Sequence, residues 1–495
     1  RSTENKRIRW LLSLTQQGIS LLGYLLGCVK KVDILKEDTI AAIATPFGTG
    51  GTGKIRISGP QAYQIGDQIF KSIKEGKKLS QQETYTAHYG HIKDPDKDKI
   101  IDEVVAIMMK GPHSFTGENV LEFDCHGGMT PLRAVLDLCL KYGARLAEPG
   151  EFSQRAFLNG RIDLAQAEAI IEVINSKTEK SLDLAVEQLN GKLSKKVDEI
   201  KEEAVEILAH LEAAIDYPED EIEGFSPAKL GDKFNYIKEE IDKLLKSSKQ
   251  GKIYKEGLKT VIVGKPNVGK SSLLNYFLEE KRAIVTDVPG TTRDVIEEFV
   301  NLKGIPLKII DTAGIRETSD TVEKIGVERT RKSAEKADLV LFMLDISQGI
   351  TSVDREIYKL IKDKPVIVIV NKTDLPANTE KEKIEKEFSE HSLLWISLLE
   401  EEGLNELKAD ILDEILDEEI ETDAEAVITK SRHRDALVKA EEAIERVIVS
   451  HETNMPYDFL TIDLKDCLNG LGKITGETVA DDILDRIFND FCLGK

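Results

Sequence analysis

The sequence is short of the residues that would mark several functional classes. Cysteine occurs five times in 495 residues, at Cys28, Cys125, Cys139, Cys467 and Cys492. The spacings suit neither a disulfide framework nor a zinc site, and they fit free thiols in a reducing, intracellular compartment. Basic charge is also outnumbered. Lys and Arg number 68 against 89 Asp and Glu, a net charge of −21, so bulk electrostatics cannot draw the chain to a polyanion. Any nucleic acid must be held by a local patch or through a partner. Arg432-His433-Arg434 and the Lys243–Lys259 stretch are candidates, and each is equally readable as a solvated face. No repeat of 20–50 residues is present. Uncharged runs long enough to span a membrane are lacking too, apart from Trp10–Val29. That run carries Ser13, Thr15, Gln16, Gln17, Ser20 and three glycines, which makes it a poor membrane span. Lys6, Arg7 and Arg9 precede it and Lys30 and Lys31 follow, a pattern shared by presequences and peripheral membrane segments. Arg1–Glu37 is therefore expected to lie outside the working fold. The protein is expected in the cytoplasm, or in the mitochondrion if those residues are a presequence.

What is present describes a large multidomain protein. An apolar share of 41% suffices for real cores, and the length suggests about three domains. Thr39–Ala44, Ile55–Ser58, Glu103–Met109 and Val120–Asp124 read as short strands between Gly and Pro punctuation. From Arg161 to Asn190 there is neither Gly nor Pro. Beyond it, Ile200, Ala204, Ile207, Leu208, Leu211 and Ile215 recur at helical spacing until Tyr217-Pro218. A block alternating Val/Ile strands with helices then runs to about Gly403, and helices return over Asn405–Ile420 and Arg434–Ser450. Helix, α/β and helix again suggests an α/β domain inserted into a helical one. The expected boundaries are 38–158, 159–257, 258–404 and 405–495.

Inside that block, Gly264-Lys265-Pro266-Asn267-Val268-Gly269-Lys270-Ser271 matches G-x-x-x-x-G-K-S. It follows the strand Val261-Ile262-Val263 and opens a helical run, Ser272–Glu280, as a phosphate loop must. Its backbone N–H groups and helix dipole would hold the phosphates. Lys270 would reach the β- and γ-phosphates and Ser271 would ligate Mg²⁺. Gly48-Thr49-Gly50-Gly51-Thr52-Gly53-Lys54 imitates the motif. There, however, Ile55 replaces the Mg²⁺ hydroxyl, and Lys54–Ser58 alternates like a strand, so it predicts only a turn. After the true loop come Gly290-Thr291-Thr292-Arg293-Asp294, with Thr292 as a second Mg²⁺ hydroxyl, and Asp311-Thr312-Ala313-Gly314 after Leu307–Ile310. Asp311 would hold the Mg²⁺ shell and the Gly314 N–H could meet the γ-phosphate. Asn371-Lys372-Thr373-Asp374 ends the strand Val366–Val370, and Asp374 can accept guanine N1–H and N2–H together, selecting GTP over ATP. The usual Ser-Ala-Lys is replaced by Ile396-Ser397-Leu398-Leu399. Ile315 stands where Ras-like proteins carry a water-orienting Gln, so catalysis must recruit another group, with Arg316, Glu317 and Glu323 nearby in sequence. The Asn267 amide could ligate a monovalent cation.

G-K-P-N-V-G-K-S-S, G-T-T-R-D and D-T-A-G-I-R-E together resemble the MnmE (TrmE) family of tRNA-modification GTPases. The resemblance includes Asp38–Pro46, Arg56-Ile57-Ser58-Gly59, Ser114–Glu118, His126-Gly127-Gly128, Pro149–Phe152, Arg155–Gly160 and the terminal Phe491-Cys492-Leu493-Gly494-Lys495. It implies an N-terminal α+β folate-binding domain that dimerises, an all-α helical domain in two segments, and an inserted Ras-like G domain. It also implies an FAD-containing MnmG-type partner in a heterotetramer, and modification of a wobble uridine of tRNA at C5 by a tetrahydrofolate one-carbon unit (5-formyl or 5,10-methylene form). FAD is expected on the partner alone, and no stable membrane partner is expected. By position, Arg56, Glu122, Arg161 and Lys495 fall at the family's folate site, with Cys492 near it. Asn267, Thr286, Val288 and Thr291 fall at its K⁺ site, and Glu323 at its catalytic acid. Ser272, Thr286 and Thr291 join the nucleotide-binding set. An Era/Der-type ribosome-assembly switch is the alternative.

Overall fold

The computed structural model describes residues 38–74, 76–217, 227–280, 298–310, 331–415, 426–491 and 494. They form two compact units. The first comprises described residues up to Ile171, then Gln188–Asp242 and Asp435 onward; the second comprises Glu172–Glu187 and Lys243–Arg434.

The first unit opens with β1 (Ile40–Ile43), β2 (Thr52–Ser58), α1 (Ala62–Ile69), β3 (Phe70–Ser72), β4 (Thr86–Asp94), β5 (Lys99–Met109), β6 (Val120–His126), α2 (Met129–Lys141), β7 (Arg145–Leu146) and α3 (Glu151–Leu158). Seven strands pair in the order β3-β4-β5-β6-β2-β1-β7. All pairs are antiparallel except β1–β7. Alternation sets the faces. Ile55 and Ile57 of β2 enter the core with Leu121, Phe123 and Cys125 of β6, beneath α1 and α2. The intervening positions carry Lys54, Arg56, Glu122 and Asp124, which share the opposite face because their registers match. Burial pushes the Cys125 and Cys467 thiols up to about 12 and the Cys139 thiol higher still, so these thiols are inert at neutral pH.

Helices follow: α4 (Leu164–Asn175), α5 (Glu179–Leu189), α6 (Lys192–Asp216) and α7 (Pro227–Glu256). The expected stripe on α6 is buried through Leu211, with Ile215 only half-buried, and the helix ends at Asp216, one residue before Tyr217. Lys243–Lys259, read from sequence as a stretch leading into the β block, lies mostly within α7. Leu230, Phe234, Ile237, Ile241 and Leu244 form its buried stripe.

Gly150 precedes α3 with φ 70°, and a Cβ there would lie 2.3 Å from the Phe488 carbonyl oxygen. Gly150→Ala adds a left-handed penalty to an overpacking one. It is expected to cost about 2–4 kcal/mol, read as a fall in the urea midpoint followed by far-UV circular dichroism.

The second unit contains β8 (Leu258–Val263), α8 (Lys270–Glu280), β9 (Glu298–Leu302), β10 (Ile305–Ile309), β11 (Leu339–Asp345), α9 (Ser352–Ile361), β12 (Val366–Asn371), α10 (Lys381–Glu387), β13 (Ser392–Trp395) and α11 (Leu404–Ile415). Its sheet runs β13-β12-β11-β8-β10-β9, parallel except for the β9–β10 hairpin. Strands β11 and β12 are buried along their whole length, as parallel strands covered on both faces must be. This is a Ras-like P-loop fold. Helices α12 (Ser431–Glu452), α13 (Tyr457–Thr475) and α14 (Asp481–Asn489) complete the chain. His433 is fully buried, so Arg432-His433-Arg434 is not a continuous exposed basic patch. Among the described residues no helix is long and apolar enough to cross a membrane.

Candidate guanine-nucleotide site

Strand β8 is central, between β10 and β11, and delivers Gly264 to the carboxyl end of the sheet, where open α/β folds bind ligands. Gly264 has φ 146°, and a Cβ there would sit 2.4 Å from the Met343 carbonyl oxygen of β11. At Gly269 (φ 109°) a Cβ would sit 2.4 Å from Asn371 Nδ2 at the end of β12. Only glycine allows the loop to lie this close to two neighbouring strands. Asn267, at the exposed crest, has φ 65°. Helix α8 starts at Lys270, so its first N–H groups face the loop, a ready anion site. Lys270 Nζ donates to the carbonyls of Gly264 (2.7 Å) and Lys265 (2.6 Å), and burial pushes its ammonium down to about 8. Ser271 and Ser272 open the helix beside it.

The segment expected from sequence to recognise the base is built at the ends of β12 and β11. Asn371 is buried and does not face a base. Its Nδ2 donates to the Val268 carbonyl (2.8 Å) and its Oδ1 accepts from the Leu398 N–H (3.2 Å), tying the phosphate loop to the loop after β13. Lys372, at φ 66°, pairs with the fully buried Asp345 carboxylate at 2.6 Å. Burial opposes ionisation of Asp345, yet Lys372 and Ser347 hold its carboxyl below the usual range. Exposed Asp374 accepts from Ser397 Oγ at 2.6 Å, and Ser397 Oγ accepts from the Glu400 N–H. Ile396-Ser397-Leu398-Leu399 thus keeps one working member of the missing motif: Ser397 orients Asp374. Neither Ser397 nor Asp345 was singled out from sequence. For Ser397 the signal was its place at the expected position; Asp345 belongs to no local motif.

The structure therefore brings together Gly264, Asn267, Val268, Gly269, Lys270, Ser271, Ser272, Asn371, Lys372 and Asp374 around the ends of β8 and β12. Thr286, Val288, Thr291, Thr292, Arg293, Asp311, Thr312, Ala313, Gly314, Arg316 and Glu323 lie outside the described residues, as do Cys492 and Lys495. Gly48–Lys54, the imitation loop, runs into β2 as the alternation predicts, and its Gly50 N–H bonds the Gly127 carbonyl. His126 pairs opposite Thr52 at the end of β6 and meets Asp102, with Nδ1 2.6 Å from Asp102 Oδ1. Among the described residues no group of His, Cys, Asp and Glu could hold a metal ion.

A second cluster lies on the polar face of the first sheet. Arg56 Nε meets Glu122 Oε1 at 2.7 Å, and Lys54 Nζ meets Glu122 Oε2 at 2.6 Å. Burial opposes ionisation of Glu122, but these cations hold its carboxyl below the usual range. The Arg56 guanidinium lies over Phe115 and Phe152 and donates to the Gly494 carbonyl at 3.2 Å. Arg161 is exposed in the turn between α3 and α4.

Two family matches cover most of the chain: residues 39–161 match the GTP-binding protein TrmE N-terminus and residues 164–492 the MnmE helical domain. The tRNA modification GTPase MnmE of Clostridioides difficile (strain 630) is 52% identical over 459 residues, 93% of this chain and 99% of that protein. The chain belongs to the MnmE family of tRNA-modification GTPases. The MnmE of Bacillus subtilis (strain 168) is 48% identical, covering 92% of this chain and 100% of its own. Among solved structures, Era in complex with MgGDPNP and nucleotides 1506-1542 of 16S ribosomal RNA aligns at 34% identity over 38% of this chain and 66% of its own, TM-score 0.26. The G domain of the T. maritima FeoB iron transporter aligns at 25% identity over 32% and 99%, TM-score 0.25. MnmE relatives match far beyond the nucleotide fold, which favours this family over an Era/Der-type switch. The chain is accordingly a GTP hydrolase of tRNA modification.

Proposed function

We propose that this MnmE-family GTPase is potassium-dependent and works as a homodimer with an FAD-containing MnmG-type partner in a heterotetramer. Together they would install an aminomethyl-type group at C5 of the wobble uridine of tRNA, using a tetrahydrofolate one-carbon unit. The observation that carries the reading is the phosphate loop at Gly264–Ser271, set against an Asp374 that Ser397 orients for guanine. Mg²⁺ would be held by the hydroxyls of Ser271 and Thr292 with Asp311 behind them. Potassium would be held by Asn267, Thr286, Val288 and Thr291. A monovalent cation there would offset developing phosphate charge where Ile315 cannot orient water, with Glu323 as the acid and Arg293 and Arg316 as further charges. The folate's glutamate would be met by Arg56, Arg161 and Lys495, with Glu122 fixing the Arg56 guanidinium. Domain limits of 38–158, 159–257, 258–404 and 405–495 and a cytoplasmic site of action complete the proposal.

GTP turnover by residues 38–495 should be compared in potassium and sodium at equal ionic strength. Roughly tenfold or more faster turnover in potassium is expected, with the difference lost in Asn267→Ala and turnover lost in Glu323→Ala. Equal rates in the two salts would sink the potassium mechanism.

A further inference from the structure

The phosphate-loop motif leaves its second residue open, yet here that residue is tied down. Lys265 Nζ lies 2.8 Å from Asp354 Oδ2 and 3.2 Å from Thr351 Oγ1. Asp354 is fully buried, in the first turn of α9, and the same Oδ2 accepts from the Thr351 N–H and hydroxyl, both at 2.8 Å. Its other oxygen, Oδ1, is buried with no hydrogen-bond partner among the described residues. A half-satisfied buried carboxylate adds little net stability, because desolvation cancels most of the attraction. What such a pair does provide is geometry. The Lys265 carbonyl is also one of the two acceptors holding Lys270 Nζ. The strut therefore fixes the residue that in turn holds the phosphate-binding lysine. On the far side, Thr351 ends the loop that leaves β11 at Asp345, whose carboxylate holds Lys372 of the base-recognition segment. One continuous set of polar contacts and short chain thus spans both halves of the nucleotide site.

We infer that Lys265 and Asp354 are positioning residues for GTP, a buried strut that sets the phosphate loop relative to the guanine-recognition segment. This rests on the nucleotide-site reading above. The strut contributes to nucleotide affinity and leaves the chemical step to other groups.

Removing one partner alone strands a buried charge and endangers the fold. The decisive variant is therefore Lys265→Met with Asp354→Asn. It keeps the volume, and Asn can still accept from Thr351. GDP and GTP binding, kcat, KM and thermal midpoint are measured for this double variant, Lys265→Arg, Lys270→Ala and the wild type. The expected result is a double variant with a near wild-type midpoint, roughly tenfold weaker GDP binding and a similarly raised KM, with kcat within about twofold. Lys265→Arg, which keeps the ion pair, should restore most of the affinity. Unchanged affinity in the double variant overturns the inference, whether or not the midpoint falls. So does a kcat loss as large as the change in KM. If Lys270→Ala also binds GDP like the wild type, the nucleotide-site reading has failed first.

Discussion

Lys270→Ala lowers kcat/KM for GTP by roughly 10²–10³-fold and shifts the unfolding free energy by no more than about 1 kcal/mol. The first effect follows from position. Lys270 is the first residue of α8 and spans the loop, donating to the Gly264 and Lys265 carbonyls. A transferring phosphoryl group placed in the loop would draw this ammonium. The small second effect follows from burial, which already pushes the Lys270 ammonium down to about 8. Deleting a charge that the fold disfavours offsets two lost hydrogen bonds. The same burial gives nucleotide binding a pH signature. An anion in the loop restores the charged form, so the lysine pKa rises on binding. Affinity is then full below about 8 and falls as pH rises through that value, toward the higher pKa of the complex. Calorimetric GDP titrations from neutral to alkaline pH read this directly. A flat affinity across pH 8 would mean that Lys270 does not meet the phosphate.

Much of this architecture was legible because its determinants are local. The glycines at Gly264 and Gly269, the apolar run before them and the Lys-Ser that opens α8 are contiguous, and they predicted strand, loop and helix in order. Strand β2 was visible in the alternation of Lys54–Ser58, and α6 ends at Asp216 because Pro218 cannot continue a helix two residues on. What escaped depends on partners distant in sequence. Strand β4, with His88, Tyr89 and His91, is not among the strands expected from sequence, and it takes its place by pairing with β3 and β5. Asp345 and Asp354 are ordinary acids by sequence, and only the turn after β11 brings one to Lys372 and the other to Lys265. The helix through most of Lys243–Lys259 is hidden in sequence because its apolar stripe, Ile237, Ile241 and Leu244, lies mostly ahead of the lysines.

Asp374→Asn is expected to lower kcat/KM for GTP by roughly 10²–10³-fold and to make xanthosine triphosphate the better substrate. A carboxylate offers two acceptors, which suit guanine N1–H and N2–H; an amide offers one acceptor and one donor. Against guanine, the new Nδ2 faces the N2 amino group, donor to donor, so a buried mismatch replaces a charge-assisted bond. Xanthine keeps N1–H but carries a carbonyl at C2, which Nδ2 can satisfy. The exchange is clean only if the side chain keeps its orientation, and here Ser397 sets it. Ser397 Oγ donates to Asp374 Oδ1 at 2.6 Å while the Ser397 backbone pairs with Glu402. In Asp374→Asn that hydroxyl bonds the amide oxygen and leaves Nδ2 turned toward the base. Ser397→Ala, by contrast, should weaken GTP binding only about three- to tenfold with no gain for xanthine, since it frees the carboxylate without changing its acceptors. Competition of GTP, XTP and ATP for wild type and both variants separates these outcomes. Were Asp374→Asn to keep its preference for GTP over XTP, guanine would have to be recognised by main-chain groups of the Ser397–Leu399 loop instead.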